Sequence, residues 1–393
     1  MHTPLVARWR AAAALLLMLA LLAACGQSGA PAAAPTAAPT AAPTAAPAAA
    51  PTAAPTAAPA AAPTAAPTAA PAAATAPTAV RLAYFPNLTH AVALVGVQRG
   101  TFKDALGPNV ALETKTFNAG PALIEALFAG EVDIGYVGPN PAINGYVKSK
   151  GDALRIIAGA SSGGALFVVR PEASIKTAKD LDGKKLASPQ LGGTQDVALR
   201  FYLQENGLQT ADKGGSVQII PTQNPDILTL FKQGQLDGAW VPEPWATRLV
   251  IEGKGQVFVD ERTLWPGGKF TTTLVVVRRQ FLADHPDLVA KFLQAHVDTV
   301  QYIAAHADET KKIVNSEIER ITSKPLPAGV LDKSYTNLDI TYDPLAPTLF
   351  KSAESAFALG FLGESKPDLT GIYDLDPLNT VLAAKSLPAV SAK

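Results

Sequence analysis

Six short segments carry no lysine or arginine and draw their polar groups mainly from amides, hydroxyls and bare glycine backbone: residues 84–90, 118–121, 138–140, 161–164, 192–195 and 240–245. The candidate ligand contacts within them are Asn87, Thr89, His90, Asn118, Gly120, Pro121, Gly138, Asn140, Ser161, Ser162, Gly192, Gly193, Thr194 and Gln195, followed by Trp240, Glu243 and Trp245. Several stand at predicted helix starts, where free N–H donors and a partial positive charge favour an anion, and glycine lets that anion approach the backbone. Such a set suits a small oxyanion held without an ion pair. A sulfonate, whose three acceptor oxygens stay ionised, fits that description.

Each residue also has a local role to weigh. Thr194 after Gly192-Gly193 could cap a helix at a tight turn, and Thr89 could cap the helix after it. Asn87 after Pro86 could close an Asx turn. Ser161-Ser162-Gly163-Gly164 reads equally as a solvated loop, and His90 as a satisfied structural residue. Of Trp240 and Trp245, one is expected in the core and the other against the apolar part of a ligand. Glu243 is awkward beside an anion; it pairs with an amino group on the solute, or faces solvent or the opposite lobe.

Catalytic chemistry has little to work with. Cys25 is the one cysteine, and His90, His285, His296 and His306 are scattered rather than set at metal-ligand spacing. No metal, cofactor or catalytic residue is expected. Formal net charge is zero and no basic stripe points to nucleic acid.

The elements that must position these segments alternate in the manner of βαβ units. Strands are predicted at 80–84, 110–116, 132–136, 185–188 and 217–220. Helices follow the loops at 85–90, 118–121, 137–141 and 189–193, the last running over 194–206 with Val197, Ala198, Phe201 and Tyr202 on one face. The polar loops thus fall at the carboxyl ends of strands, where open α/β sheets bind ligands. The run Leu127-Phe128 through Asp133 to Pro141 is echoed by Leu230-Phe231 through Asp237 to Pro244, which suggests two similar lobes. The β-rich segments 166–170 and 274–278 read as a pair of crossover strands forming a hinge near Val168 and Val276, or as two ordinary buried strands.

At the amino end, Arg8 and Arg10 precede an apolar run of signal-peptide length ending Leu22-Ala23-Ala24-Cys25. That ending resembles the bacterial lipobox, which implies acylation of Cys25 and a membrane anchor. Alanine, proline and threonine dominate the following residues to Thr78. Such a segment forms no core and acts as a semi-rigid tether of on the order of 100 Å or more when extended.

The chain from Val80 to Arg320 resembles the solute-binding lipoproteins and periplasmic proteins of ABC importers, in the branch for nitrate, taurine and aliphatic sulfonates. The likeness rests on Tyr84-Phe85-Pro86-Asn87, Ala119-Gly120-Pro121-Ala122 and Gly130-Glu131-Val132-Asp133-Ile134-Gly135. Residues 175–185 and His285-Pro286-Asp287-Leu288-Val289 add to it. It implies an α/β, two-lobe periplasmic-binding-protein-like fold of type II with two crossover strands. The domains expected are a signal peptide at 1–24, the lipidated cysteine and linker at 25–78, lobe 1 at 79–168, lobe 2 at 169–273 and a mainly helical completion of lobe 1 at 274–393. The implied partners are a small solute, most readily a sulfonate or taurine, ABC permease and ATPase subunits, and the membrane through the lipid anchor. A monomer is expected outside the cytoplasm. Nitrate, bicarbonate or a thiamine-pyrimidine precursor are alternatives on the same fold. An enzyme of the sulfinate-cleaving type or a tethered sensor are alternatives of another class.

Overall fold

Short β-branched runs and proline-started helices alternate along the chain and assemble into two sheets in the computed structural model, which describes residues 78–392. The signal segment, Cys25 and nearly all of the linker lie outside the described residues; Thr78, assigned above to the linker, already pairs with Val110. The first elements are β1 (Thr78–Tyr84), α1 (Ala91–Gln98), α2 (Thr101–Leu106), β2 (Val110–Thr116), α3 (Gly120–Phe128), β3 (Ile134–Val137), α4 (Pro139–Lys148) and β4 (Leu154–Gly163). Then come β5 (Ala165–Val169), β6 (Lys185–Ser188), α5 (Thr194–Glu205), β7 (Gln218–Pro221), α6 (Asn224–Lys232), β8 (Gly238–Pro242), α7 (Trp245–Ile251) and β9 (Gln256–Asp260). The chain continues with β10 (Thr271–Arg278), α8 (Arg279–Asp284), α9 (Pro286–Ala305), α10 (Ala307–Thr322), α11 (Val330–Ser334), β11 (Leu338–Ile340), α12 (Ala346–Ala358) and α13 (Asp376–Ala384).

The six-stranded sheet has the order β11-β4-β10-β3-β1-β2 and the five-stranded sheet β7-β6-β8-β5-β9. The second repeats five positions of the first, β2-β1-β3-β10-β4, without a counterpart of β11. β5 lies antiparallel to β8 as β10 lies antiparallel to β3, so the two similar segments singled out above are the first strands laid down after each crossing. The crossings themselves fall elsewhere. The chain leaves the first sheet at Gly163-Gly164, both at φ +75°, a conformation open to glycine at little steric cost. It returns through residues 261–270. The hinge positions are therefore not at Val168 and Val276, which sit inside the second and first sheets. Expected as a loop, Ser161 and Ser162 belong to β4, paired with β10 and β11 on its two sides. Their small residues carry little β propensity, and the two neighbouring strands override it.

The lobe echo has a physical basis. Gly130 and Gly234, at φ +69° and +75°, end α3 and α6 with the paired bonds of a Schellman turn: Gly130 N–H to Leu127 and Glu131 N–H to Ala126, Gly234 N–H to Phe231 and Gln235 N–H to Leu230. The next aspartates then lock each sheet. Asp133 accepts from the Arg81 N–H at 3.0 Å, and Asp237 from the Lys185 N–H at 2.8 Å. Strand alternation splits the burial: Leu82, Tyr84, Tyr136 and Val275 face α1, α9 and α10, while Ala83, Val137, Leu274 and Val276 face α3, α4 and α12. His296 on α9 ties that helix to the sheet, accepting from the Tyr136 hydroxyl at 2.7 Å and donating to the Gly159 carbonyl at 2.9 Å. Burial pulls its pKa down to about 4.

Candidate anion-binding cleft

Residues following β1, β2, β3, β6 and β7 meet Pro242 of β8 and Thr272 and Thr273 of β10 between the two sheets, around a cavity of about 30 Å³, room for roughly two water molecules. Four helix starts reach it. Ala119 and Gly138 precede α3 and α4 from the first lobe; Gly193 and Gln223 precede α5 and α6 from the second. None of the four is capped by a side chain, so the N–H groups that prolines leave in the first turns, among them those of Gly120, Thr194 and Asn224, remain available to a ligand. Prolines at the first or second helical position set α3, α4 and α6 going, a position where the missing donor costs nothing.

Among the described residues, the lining contains no lysine, arginine, aspartate or glutamate. His90 lines it too, and burial lowers its pKa to about 3, so the ring is neutral. Its Nδ1 accepts from the Phe85 N–H at 3.3 Å, which leaves the proton on Nε2. Thr194 Oγ1, Thr273 Oγ1 and Asn224 Oδ1 line the cleft, are buried and have no hydrogen-bond partner. Ser161, the ladder partner of Thr273, has an unpartnered Oγ as well. An unpaired buried polar group costs about 1–3 kcal/mol, a cost that a bound solute removes.

The lobes touch across the cleft. Asn118 Nδ2 donates to Gln223 Oε1 at 2.6 Å, and Trp245 Nε1 donates to Asn87 Oδ1 at 2.9 Å. Gly138 packs so closely on Thr194 that a Cβ there would overlap Thr194 Oγ1. Two α/β lobes joined by two crossings thus set uncapped helix ends facing one another across the cleft. A family model described as NMT1-like matches residues 73–317. The chain belongs to the NMT1-like family.

Its relatives in sequence include the taurine-binding periplasmic protein of Escherichia coli, 29% identical over 217 residues, which is 55% of this chain and 64% of that protein. The chain thus spans somewhat under two thirds of that relative's length. A putative aliphatic sulfonates-binding protein of Bacillus subtilis is 24% identical over 285 residues, 72% of this chain and 82% of the relative. In structure, the alkanesulfonate-binding protein SsuA from Xanthomonas axonopodis pv. citri bound to MOPS superposes with a TM-score of 0.64 at 17% identity, covering 77% of this chain and all of that one. The shared fold is the two-lobe periplasmic-binding-protein architecture.

In this NMT1-like chain the cleft brings together Asn87, Thr89, His90, Asn118, Gly120, Gly138, Gly193, Thr194 and Gln195. The remaining candidates named from the sequence stand outside the cleft lining. Gly192, at φ +72°, gives its N–H to Asp196 at 2.9 Å and serves the turn. Ser162 Oγ accepts from the Phe270 N–H, and Asn140 Nδ2 donates to the Ser352 carbonyl, each at 3.3 Å. Pro121 starts α3. Trp240 is core, stacked on Phe167 with its Nε1 on Glu261. Trp245 is turned by its bond to Asn87 into a separate groove beside Arg248. Of the readings offered for Glu243, the structure supports the one facing the opposite lobe. Its carboxylate is fully buried and accepts from the Thr247 N–H and hydroxyl, Ser334 Oγ and Asn337 Nδ2, while burial raises its pKa against those bonds. Thr194 is the first helical residue, with Gly193 at the cap; Asn87 makes no capping bond to the turn after it; and His90, not Thr89, stands at the α1 cap.

Asn224, Thr272, Thr273 and Gln190 line the cleft without having been singled out in the sequence. A signal existed for Asn224: Gln223-Asn224-Pro225 opens α6 in the second lobe as Ala119-Gly120-Pro121 opens α3 in the first. Thr272 and Thr273 had none, because only the ladder register of β10 carries them to the cleft.

Proposed function

We propose that this chain is the extracytoplasmic, lipid-anchored solute-binding component of an ABC importer, which captures a small anionic solute, an aliphatic sulfonate or taurine, and delivers it to permease and ATPase subunits. The observation that carries the reading is the convergence of four uncapped helix starts, two from each lobe, on an uncharged cleft with unpartnered hydroxyls. N–H dipoles hold an anion in such a site without a counter-charge. The two lobes supply the donors jointly, so capture and closure are one event, and the closed form is what the permease meets. The names of the taurine and sulfonate relatives support the same solute class.

Thermal-shift measurement across alkanesulfonates, taurine, nitrate, bicarbonate and pyrimidines tests this directly. A ligand at about 100 times its Kd adds roughly 2.7 kcal/mol to the folded state. Stabilisation by sulfonates is expected; stabilisation by a pyrimidine alone, or by nitrate alone, replaces the solute assignment.

A further inference from the structure

Two buried charges stand directly behind the uncharged cleft, and neither belongs to its lining. Asp196, the third residue of α5, is fully buried, and Arg200, one turn further along the same helix, is buried too. Arg200 Nε donates to Asp196 Oδ2 at 3.0 Å, and its Nη1 donates to Asp212 Oδ2 at 3.1 Å. An acid in the first turn is ordinary for a helix whose amino end meets solvent. Here the same helix end lines an anion site, where a carboxylate opposes the ligand.

The carboxylate of Asp196 is spent on the loop that leads into α5. Its Oδ1 accepts from the Ser188 hydroxyl at 2.7 Å, at the end of β6, and its Oδ2 accepts from the Gly192 N–H at 2.9 Å. A capping box would send an acid at this position to the N–H of the cap residue, which here is Gly193. That N–H goes instead to the Gln190 carbonyl at 3.0 Å, closing a turn in which Gly192 holds φ +72°. One carboxylate thus ties both ends of the loop 188–192. The N–H groups of Thr194 and Gln195, residues that both line the cleft, are left for a ligand.

We propose that Asp196 and Arg200 are the positioning residues of the anion site: Asp196 fixes the loop that aims the amino end of α5 at the solute, and Arg200 cancels the repulsion between that carboxylate and the bound anion. This rests on the anion reading above. It explains why a cleft without a cation in its lining tolerates an acid so near. The charge that balances Asp196 is kept behind the loop, so the solute meets only neutral donors.

Isothermal titration of the mature protein with methanesulfonate and taurine tests the pair. In Asp196→Asn the amide oxygen accepts from the Gly192 N–H and the amide nitrogen donates to Ser188 Oγ, so the loop stays tied without a negative charge; affinity should equal or exceed that of the wild type. Asp196→Ala cuts both ties and should weaken binding about tenfold or more. Arg200→Met leaves the carboxylate uncancelled and should weaken it by on the order of tenfold, while the double variant Asp196→Asn/Arg200→Met should return to within about twofold of the wild type. In the ligand-free protein the amide resonances of Gly192, Gly193 and Thr194 should move in Asp196→Ala and stay in place in Asp196→Asn, a readout that lost stability alone does not produce. Wild-type affinity in Asp196→Ala, or an Asp196→Asn as weak as Asp196→Ala, overturns the positioning role. A loss in Arg200→Met that the second substitution deepens overturns the charge role. Should Asp196→Ala fail to fold, Asp196→Asn and the double variant decide by the same criteria. A wild type that unfolds cooperatively and binds neither anion overturns the anion reading together with this one.

Discussion

Gly138→Ala probes closure at a single atom. Gly138 has φ −71° and ψ 161°, extended values that alanine adopts freely, so the open protein should fold unperturbed. In the closed form the new methyl overlaps Thr194 Oγ1 and stands 3.2 Å from Thr194 Cβ and 3.5 Å from the Thr272 carbonyl. Relief requires the lobes to part at this seam. That stretches the Asn118–Gln223 bond of 2.6 Å, worth about 0.5–1.5 kcal/mol, and at least one N–H bond to the bound anion, worth about 1.5–3 kcal/mol. The sum is about 2–4.5 kcal/mol, or roughly thirtyfold to two-thousandfold in Kd for methanesulfonate. Titration calorimetry measures the loss, and small-angle scattering follows the fall in radius on binding that the variant should lack. The double variant Gly138→Ala/Thr194→Ala should recover part of the closure, since it removes the overlapping oxygen. Wild-type affinity and wild-type compaction in Gly138→Ala would refute the argument, because they would mean that Thr194 turns aside at no cost.

Thr194→Ala and Thr273→Ala each delete an unpartnered buried hydroxyl, so both should weaken sulfonate binding about tenfold or more by calorimetry while leaving thermal stability unchanged or slightly higher. Glu261 has its pKa raised by burial to about 7 from 4.5. The folded state therefore binds its proton more tightly, and the stability it contributes is full below about pH 4.5 and lost as pH rises through 7, by about 3 kcal/mol. His90 and His296, buried neutral with pKa values near 3 and 4, act in the opposite sense as pH falls below 6.5. Urea unfolding of Glu261→Gln against wild type from pH 4.5 to 8 isolates the carboxylate; parallel curves would show that Glu261 does not titrate there. Cys25→Ser should abolish lipid attachment in the native cell, and mass spectrometry finding an unmodified mature amino terminus in the wild type would remove the anchor.

The βαβ order, the helix starts with their prolines, the glycine ends, the repeat of the lobe pattern and the lack of cations in the polar loops are all legible along the chain. These are written within a few residues of chain: a proline near the first turn, a left-handed glycine after the last, an alternating or helical period between them. Tertiary structure decided which of those loops converge. Asn224, Thr272 and Thr273 reach the cleft through sheet register, and the crossing falls at Gly163-Gly164 because β5 pairs with β8 and β9. Glu243 lies outside the cleft because Thr247 from the helix that follows it and Ser334 and Asn337 from a distant segment offer it donors, and Trp245 because Asn87 holds its indole. Val197, Ala198 and Tyr202 of α5 turned out to pack on the cores of both lobes. Local signals act through backbone dihedrals and neighbouring side chains, so they are legible in one dimension. A binding site, in contrast, is the set of polar groups that packing brings together and leaves unpaired, and that is settled only when distant segments meet.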